Sequence, residues 1–221
     1  SRLSGHILRT HQFPEMHLEI LYRDDYLVAI NKPHGLLVHR SGLAADAVEF
    51  AVQLVRDEIG QKVHPVHRLD RKTGGVLLFA LEAEAHAALH SLFDHQQVNK
   101  TYLAVVRGYC EDAGEINYPL INDRGKLQPA ITTYTTIDRV ELPFASGRHP
   151  TSRYSLLRVY PRTGRHHQIR KHLAHIHHPV IADRPHGCNK QNKLFLEKFD
   201  LSTMLLHAVE LQFEHPVTGQ E

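Results

Sequence analysis

Six consecutive apolar residues, Val76-Leu77-Leu78-Phe79-Ala80-Leu81, follow directly on the charged stretch His67-Arg68-Leu69-Asp70-Arg71-Lys72-Thr73-Gly74-Gly75. A continuous apolar run of that length, bounded by turn residues, predicts a buried strand rather than an amphipathic helix. The fold must therefore cover this strand while leaving the loop before it charged. That loop sets one carboxylate, Asp70, among Arg68, Arg71 and Lys72. Cations a few ångströms from a carboxylate favour its charged form, which suits a nucleophile or a general base. Read from the tripeptide Arg68-Leu69-Asp70 alone, Asp70 is better taken as a turn residue paired with Arg68 or Lys72.

The remaining pattern is of short strands interleaved with a few helices. Leu18–Tyr22 and Tyr26–Ile30 read as strands joined by the turn Arg23-Asp24-Asp25. From Ala44 to Ile59 the residues Val48, Val52, Leu54, Val55 and Ile59 recur at helical spacing, and Gly60 is a stop signal. A second helix is predicted over Glu82–Gln97, with Ala85, Ala88, Leu89 and Leu92 as its apolar stripe. Tyr102–Val106, Ile131–Val140, Tyr154–Tyr160 and Leu205–Phe213 read as strands, and His166–Ile176 as a helix opening after Thr163-Gly164. Strands outnumber helices without alternating with them, so the expected class is α+β with a mixed, mostly antiparallel sheet. At 221 residues, 42% of them hydrophobic, the chain fits one large domain or two small lobes. No apolar stretch approaches the roughly 20 residues of a membrane helix. Cys110 and Cys188 form no C-x-x-C pair, which agrees with structural thiols in a reducing cytosol. Residues 1–17, which lack the apolar core of a signal peptide, are expected to be a poorly ordered extension.

Charge is unevenly distributed. Between Gly147 and Lys193 there are ten Lys and Arg against one acid, Asp183, a balance of +9. The rest of the chain carries sixteen bases and twenty-three acids, leaving −7 there and +2 overall. A basic segment on an otherwise acidic chain is the footprint of a phosphate-rich partner. Eight of the 20 His lie in the same segment, and protonation of about a quarter of exposed His at pH 7 would add to its charge. The cluster His166, His167, His172, His175, His177 and His178 also admits a metallohydrolase reading. It lacks H-E-x-x-H and offers no nearby Cys or Glu, and adjacent His on a helix face different ways, so no metal site is expected.

The nonapeptide 67–75 resembles the catalytic motif H-R-L-D-x-x-T-[SG]-G of the RluA-type pseudouridine synthases. Three further segments resemble family motifs in family order: Asn31-Lys32-Pro33-His34-Gly35, Lys100-Thr101-Tyr102, and Thr163-Gly164-Arg165-His166-His167-Gln168-Ile169-Arg170. The segments run from Asn31 to Arg170, and the resemblance covers about residues 18 to 216. The resemblance implies the pseudouridine synthase fold over residues 18–221, a mixed sheet in two lobes with a catalytic cleft between them. It implies no cofactor, and no separate N-terminal RNA-binding domain is expected ahead of the core. The implied reaction turns uridine into pseudouridine in structured RNA after the base leaves its stack, with Asp70 as nucleophile or base. Arg170 would pair with Asp70, and Tyr102 would stack on the base. Arg68 would fill the vacated space and Ile169 and Leu206 would wall the pocket, with His67, Arg165, Lys171, Arg148 and Arg153 as further substrate contacts. On the residues alone, Arg170 fits equally a phosphate contact and Ile169 and Leu206 plain core positions, while a half-buried strand aromatic is the commoner fate of a Tyr in the pattern around Tyr102. At Gly74 the chain departs from the family's more frequent Ser. Gly147–Tyr154 and His172–Pro179 resemble the branch acting on uridine 65 of tRNA, so the expected partner is tRNA, with ribosomal RNA as the alternative. A non-catalytic RNA-binding module is the rival from another class. A cytoplasmic monomer is the expected form.

Overall fold

The computed structural model describes residues 18–35 and 51–221. The expectations for residues 1–17 and for the helix over 44–50 lie outside the described residues. Eleven strands and four helices follow one another among the described residues. In chain order these are β1 (Glu19–Arg23), β2 (Leu27–Lys32), α1 (Ala51–Ile59), β3 (His64–Pro65), β4 (Gly74–Ala80), α2 (Ala83–Asp94), β5 (Asn99–Arg107), β6 (Ala113–Asn117), β7 (Leu120–Ile121), β8 (Leu127–Gln128), β9 (Ile131–Leu142), β10 (Ser152–Pro161), α3 (Gln168–His175), α4 (Asn189–Phe199) and β11 (Leu206–Gln212).

One long sheet runs β1-β2-β4-β11-β5-β10-β9-β6, with β3 on the flank of β4, and β7 and β8 form a separate short ribbon. Every pairing in the long sheet is antiparallel except that between β4 and β11, where His207 lies opposite Gly74 and Ala208 opposite Gly75. This single parallel junction joins the two halves of the sheet. The α+β class with a mixed, mostly antiparallel sheet is therefore what the chain adopts.

The apolar run that dominated the sequence is explained by burial on both faces. Successive strand residues point to opposite sides. Leu77 and Phe79 of β4 pack with Val28 and Ile30 of β2 against Ala51 and Val55 of α1. Leu78 and Ala80 pack with Leu27 and Ala29 against Ala85 and Leu89 of α2. The other half repeats the arrangement. Leu157 and Val159 of β10 and Ala104 and Val106 of β5 meet Ile169 and Leu173 of α3, while Tyr154 packs on Phe195 of α4 from the opposite face. Tyr102 of β5 touches both the α1 cluster and the α3 cluster, so it stands at the seam.

Two glycines are required by close approach. A Cβ on Gly75 would lie 2.0 Å from the Ala208 carbonyl oxygen, and φ there is +116°. Only glycine lets β4 and β11 come together at that point. A Cβ on Gly187 would lie 1.9 Å from the Asp183 carbonyl oxygen, which fixes the turn after Asp183.

The predicted helix over 166–176 starts later, at Gln168, because His167 takes a left-handed conformation with φ 54° and serves as the N-cap. Neither α4 nor β6 is announced in the sequence. Within α4 only Gln191 and Phe195 are buried, and within β6 only Ile116, so neither carries a full apolar stripe.

Candidate active site

Asp70 lies in the loop that enters β4, and that loop is pinned from below by the segment ending β2. Lys32 is fully buried. Its Nζ donates to the carbonyls of Pro33 at 3.1 Å and Arg71 at 3.0 Å. Burial pushes its pKa down to about 8, against the favourable pull of Asp70. Gly35 donates its N–H to the Arg71 carbonyl at 2.7 Å, and Arg71 Nε returns a bond to the Gly35 carbonyl at 2.9 Å. Thr73 N–H closes a turn on the Asp70 carbonyl at 2.9 Å. Lys32 and Gly35 thus serve the backbone of the Asp70 loop, as does His34, whose Nδ1 lies 2.7 Å from the Lys72 carbonyl. Alternation does the rest: Leu69 is buried in the α1 core while Arg68 stands exposed beside it.

The opposite wall is the segment 163–170. Thr163 Oγ1 accepts the N–H of Ile131 at 3.1 Å and donates to Gln168 Oε1 at 2.7 Å. Gln168 Oε1 also accepts the Arg165 N–H at 3.0 Å, and Gln168 Nε2 donates to the Ile131 carbonyl and Thr132 Oγ1, both at 3.0 Å. This network locks the start of α3 to β9, which fixes where the next turn of α3 points. On that turn Arg170 Nη1 donates to Asp70 Oδ2 at 2.9 Å. Its Nε and Nη2 form a bidentate pair with Asp183 at 2.8 and 2.7 Å. Burial opposes the guanidinium charge, but the bonds to Asp183 and Asp70 outweigh it and raise its pKa. The Arg170 side chain is 6% exposed, Asp183 1% and Asp70 22%. Of the three, only Asp70 opens to solvent.

These walls enclose a cleft of about 610 Å³, in the range of small-molecule sites. It gathers eight of the eleven residues singled out from the sequence: His67, Arg68, Asp70, Tyr102, Arg165, Ile169, Arg170 and Leu206. Arg148, Arg153 and Lys171 do not line it. Arg153 instead pairs with Glu141 at 3.4 Å and lies over the Tyr109 ring at 5.1 Å. Tyr102 is raised in pKa by burial first and by the Asp70 charge second, so its phenol stays protonated at neutral pH. His67 stacks on Phe93 at 4.7 Å, and its Nε2 accepts the Leu78 N–H at 3.0 Å. Burial, assisted by the Lys100 charge, pushes it down to about 3 and keeps it neutral.

Two site residues escaped the sequence reading. Asp183 was visible as the lone acid in a basic run, but its pairing with Arg170 was not. Lys32 was marked within a motif without a role. The histidine cluster disperses: His172 bonds Thr132 Oγ1 at 2.8 Å and the Tyr118 carbonyl at 2.9 Å, while His175 stacks on Tyr118 at 3.8 Å. Among the described residues, no three His, Cys, Asp or Glu converge as metal ligands.

Residues 26–175 match the family model described as RNA pseudouridylate synthase. The chain is 48% identical over 215 residues to tRNA pseudouridine synthase C of Vibrio vulnificus, covering 92% of this chain and 88% of that protein. It is 46% identical over 214 residues to the protein of that name from Salmonella typhimurium, covering 92% and 82%. Human RNA Pseudouridylate Synthase Domain Containing 1 shares the fold with a TM-score of 0.73 at 23% identity, covering 93% of this chain and 82% of that one. Human RNA Pseudouridylate Synthase Domain Containing 4 follows with a TM-score of 0.65 at 25% identity, over 88% and 84%. With the match spanning most of the chain and the motif residues meeting in one cleft, this chain belongs to the RluA-type RNA pseudouridylate synthase family.

Proposed function

We propose that this pseudouridine synthase acts on tRNA, at uridine 65, with Asp70 as its catalytic carboxylate and residues 18–221 as its catalytic domain. The observation that carries the reading is the Arg170–Asp70 pair at 2.9 Å, which sets a partly exposed carboxylate into the cleft beside a buried guanidinium. Isomerisation breaks the N1–C1′ bond of uridine and forms a C5–C1′ bond; C5 gives up a proton and N1 gains one. The Asp70 carboxylate assists departure of the uracil at the sugar, as nucleophile at C1′ or as base there. Arg170 orients it through the 2.9 Å bond, and Asp183 holds Arg170. Tyr102 stacks on the base. Its raised pKa makes the phenol a poor base in the resting site, so stacking is its main contribution. Extracting the base from its stack costs a few kcal/mol. Arg68, exposed at the cleft rim, offsets part of this by filling the vacated space. The tRNA assignment is supported by the 46–49% identity to proteins named tRNA pseudouridine synthase C.

The test is to incubate the protein with unmodified tRNA and ribosomal RNA transcripts and map pseudouridine by mass spectrometry. Product at uridine 65 of tRNA is expected. Product on ribosomal RNA alone would overturn the substrate, and no product on either would overturn the enzymatic reading.

A further inference from the structure

His167 stands between Asp70 and a residue that sequence distance hides. Its Nε2 is 3.8 Å from Asp70 Oδ2, and its Nδ1 is 2.9 Å from Nε2 of His186. The two rings meet edge to face, 5.1 Å apart at 77°, and His166 stacks on His167 at 3.7 Å. His186 itself is held by the tight turn that Gly187 permits after Asp183, where its N–H reaches Asp183 Oδ1 at 3.4 Å. His167 is fixed equally firmly as the left-handed N-cap of α3, a conformation that a non-glycine residue keeps only when its surroundings impose it.

Two imidazole nitrogens 2.9 Å apart share one proton. Were it on His167 Nδ1, the bare lone pair of His167 Nε2 would face the Asp70 carboxylate. With the proton on His186 Nε2, His167 carries its own proton on Nε2, directed at that carboxylate. The negative charge of Asp70 3.8 Å away favours the second arrangement, and the 2.9 Å bond from a His186 donor completes it. We propose that His186 is a positioning residue, which donates Nε2–H to His167 Nδ1 and thereby fixes His167 as the Nε2–H tautomer facing Asp70. Asp70 Oδ2 then accepts from Arg170 at 2.9 Å and faces the His167 N–H dipole 3.8 Å away, an electrostatic contact rather than a second hydrogen bond. An imidazolium is disfavoured at neutral pH. Burial and the Arg170, His166 and His186 charges push His167 down to about 4 against the pull of Asp70. His186, which faces Asp183, Arg170, Lys171 and Asp70, is also lowered, with burial the main cause.

This inference rests on Asp70 being the catalytic carboxylate, but its first test needs no RNA. Nitrogen-15 NMR of the imidazoles in the ligand-free protein at pH 7 reads the tautomer directly, and His167 is expected to carry its proton on Nε2. His186→Phe keeps the aromatic edge contact and removes the donor. It should mix the His167 tautomers and lower kcat about fivefold, with KM within about twofold, the size expected for one lost hydrogen bond. His186→Gln, whose amide nitrogen occupies the place of Nε2, should restore both. A wild-type His167 protonated on Nδ1 or on both nitrogens overturns the proposal, as does an unchanged tautomer or unchanged kcat in His186→Phe. Inactivity on every RNA with the tautomer as expected would count against the isomerase reading alone.

Discussion

Arg170 and Arg153 come from the same basic run, yet they do opposite work. Arg170 is 6% exposed and bridges two carboxylates; Arg153 is 58% exposed and sits 3.4 Å from Glu141 in water. A charge in a low-dielectric interior must be paired, and breaking that pairing is expensive, whereas an exposed pair is screened and contributes little. What a count of ten bases presents as one surface is therefore two: a buried organiser of the cleft and a solvated flank.

The comparison predicts a graded series. Asp70→Asn should lower the single-turnover rate on tRNA by at least ~1,000-fold, the scale of removing a catalytic nucleophile, while the fold persists because Arg170 keeps Asp183. Measurable turnover close to wild type would detach the cleft from the chemistry. Arg170→Met strands Asp183 in the interior and should cost about 3–5 kcal/mol in urea unfolding, whereas Arg153→Met should stay within about 0.5 kcal/mol. Similar losses for the two would erase the distinction.

Acid should probe the buried side selectively. His67 and His167 are held well below the ordinary His value, at about 3 and about 4, so the unfolded chain binds protons that the folded one refuses. Their contribution to stability is complete above pH ~6.5 and is lost as pH falls toward 3–4. Urea midpoints should fall over that window, and less steeply in His67→Gln. The smallest effects belong to the flank. Arg148→Ala, Arg153→Ala and Lys171→Ala should each weaken RNA binding a few-fold and reduce the salt slope by about one unit per lost phosphate contact. A slope that does not change would move the RNA path elsewhere.

Both faces of the Val76–Leu81 run had to be covered, and they are, by α1 and α2. The α+β class and the strands near Tyr102, Ile131, Tyr154 and Leu205 were legible for the same reason: apolar periodicity reports burial. α4 and β6 were not legible, because α4 buries only Gln191 and Phe195, and β6 only Ile116. For the cleft, motif residues close in sequence were readable as groups, since local backbone geometry holds Asp70 within its turn and Gln168 within its own.

The sequence by itself determined that one acid sits in a basic loop before a buried strand, and which residue types surround it. Only the tertiary structure decided that Asp70 and Arg170, 100 residues apart, meet at 2.9 Å, that Asp183 clamps the arginine from behind, and that His186 reaches His167. Such contacts are set by where two halves of a sheet join. The parallel junction of β4 and β11 at Gly75 depends on a backbone approach that no side-chain pattern encodes.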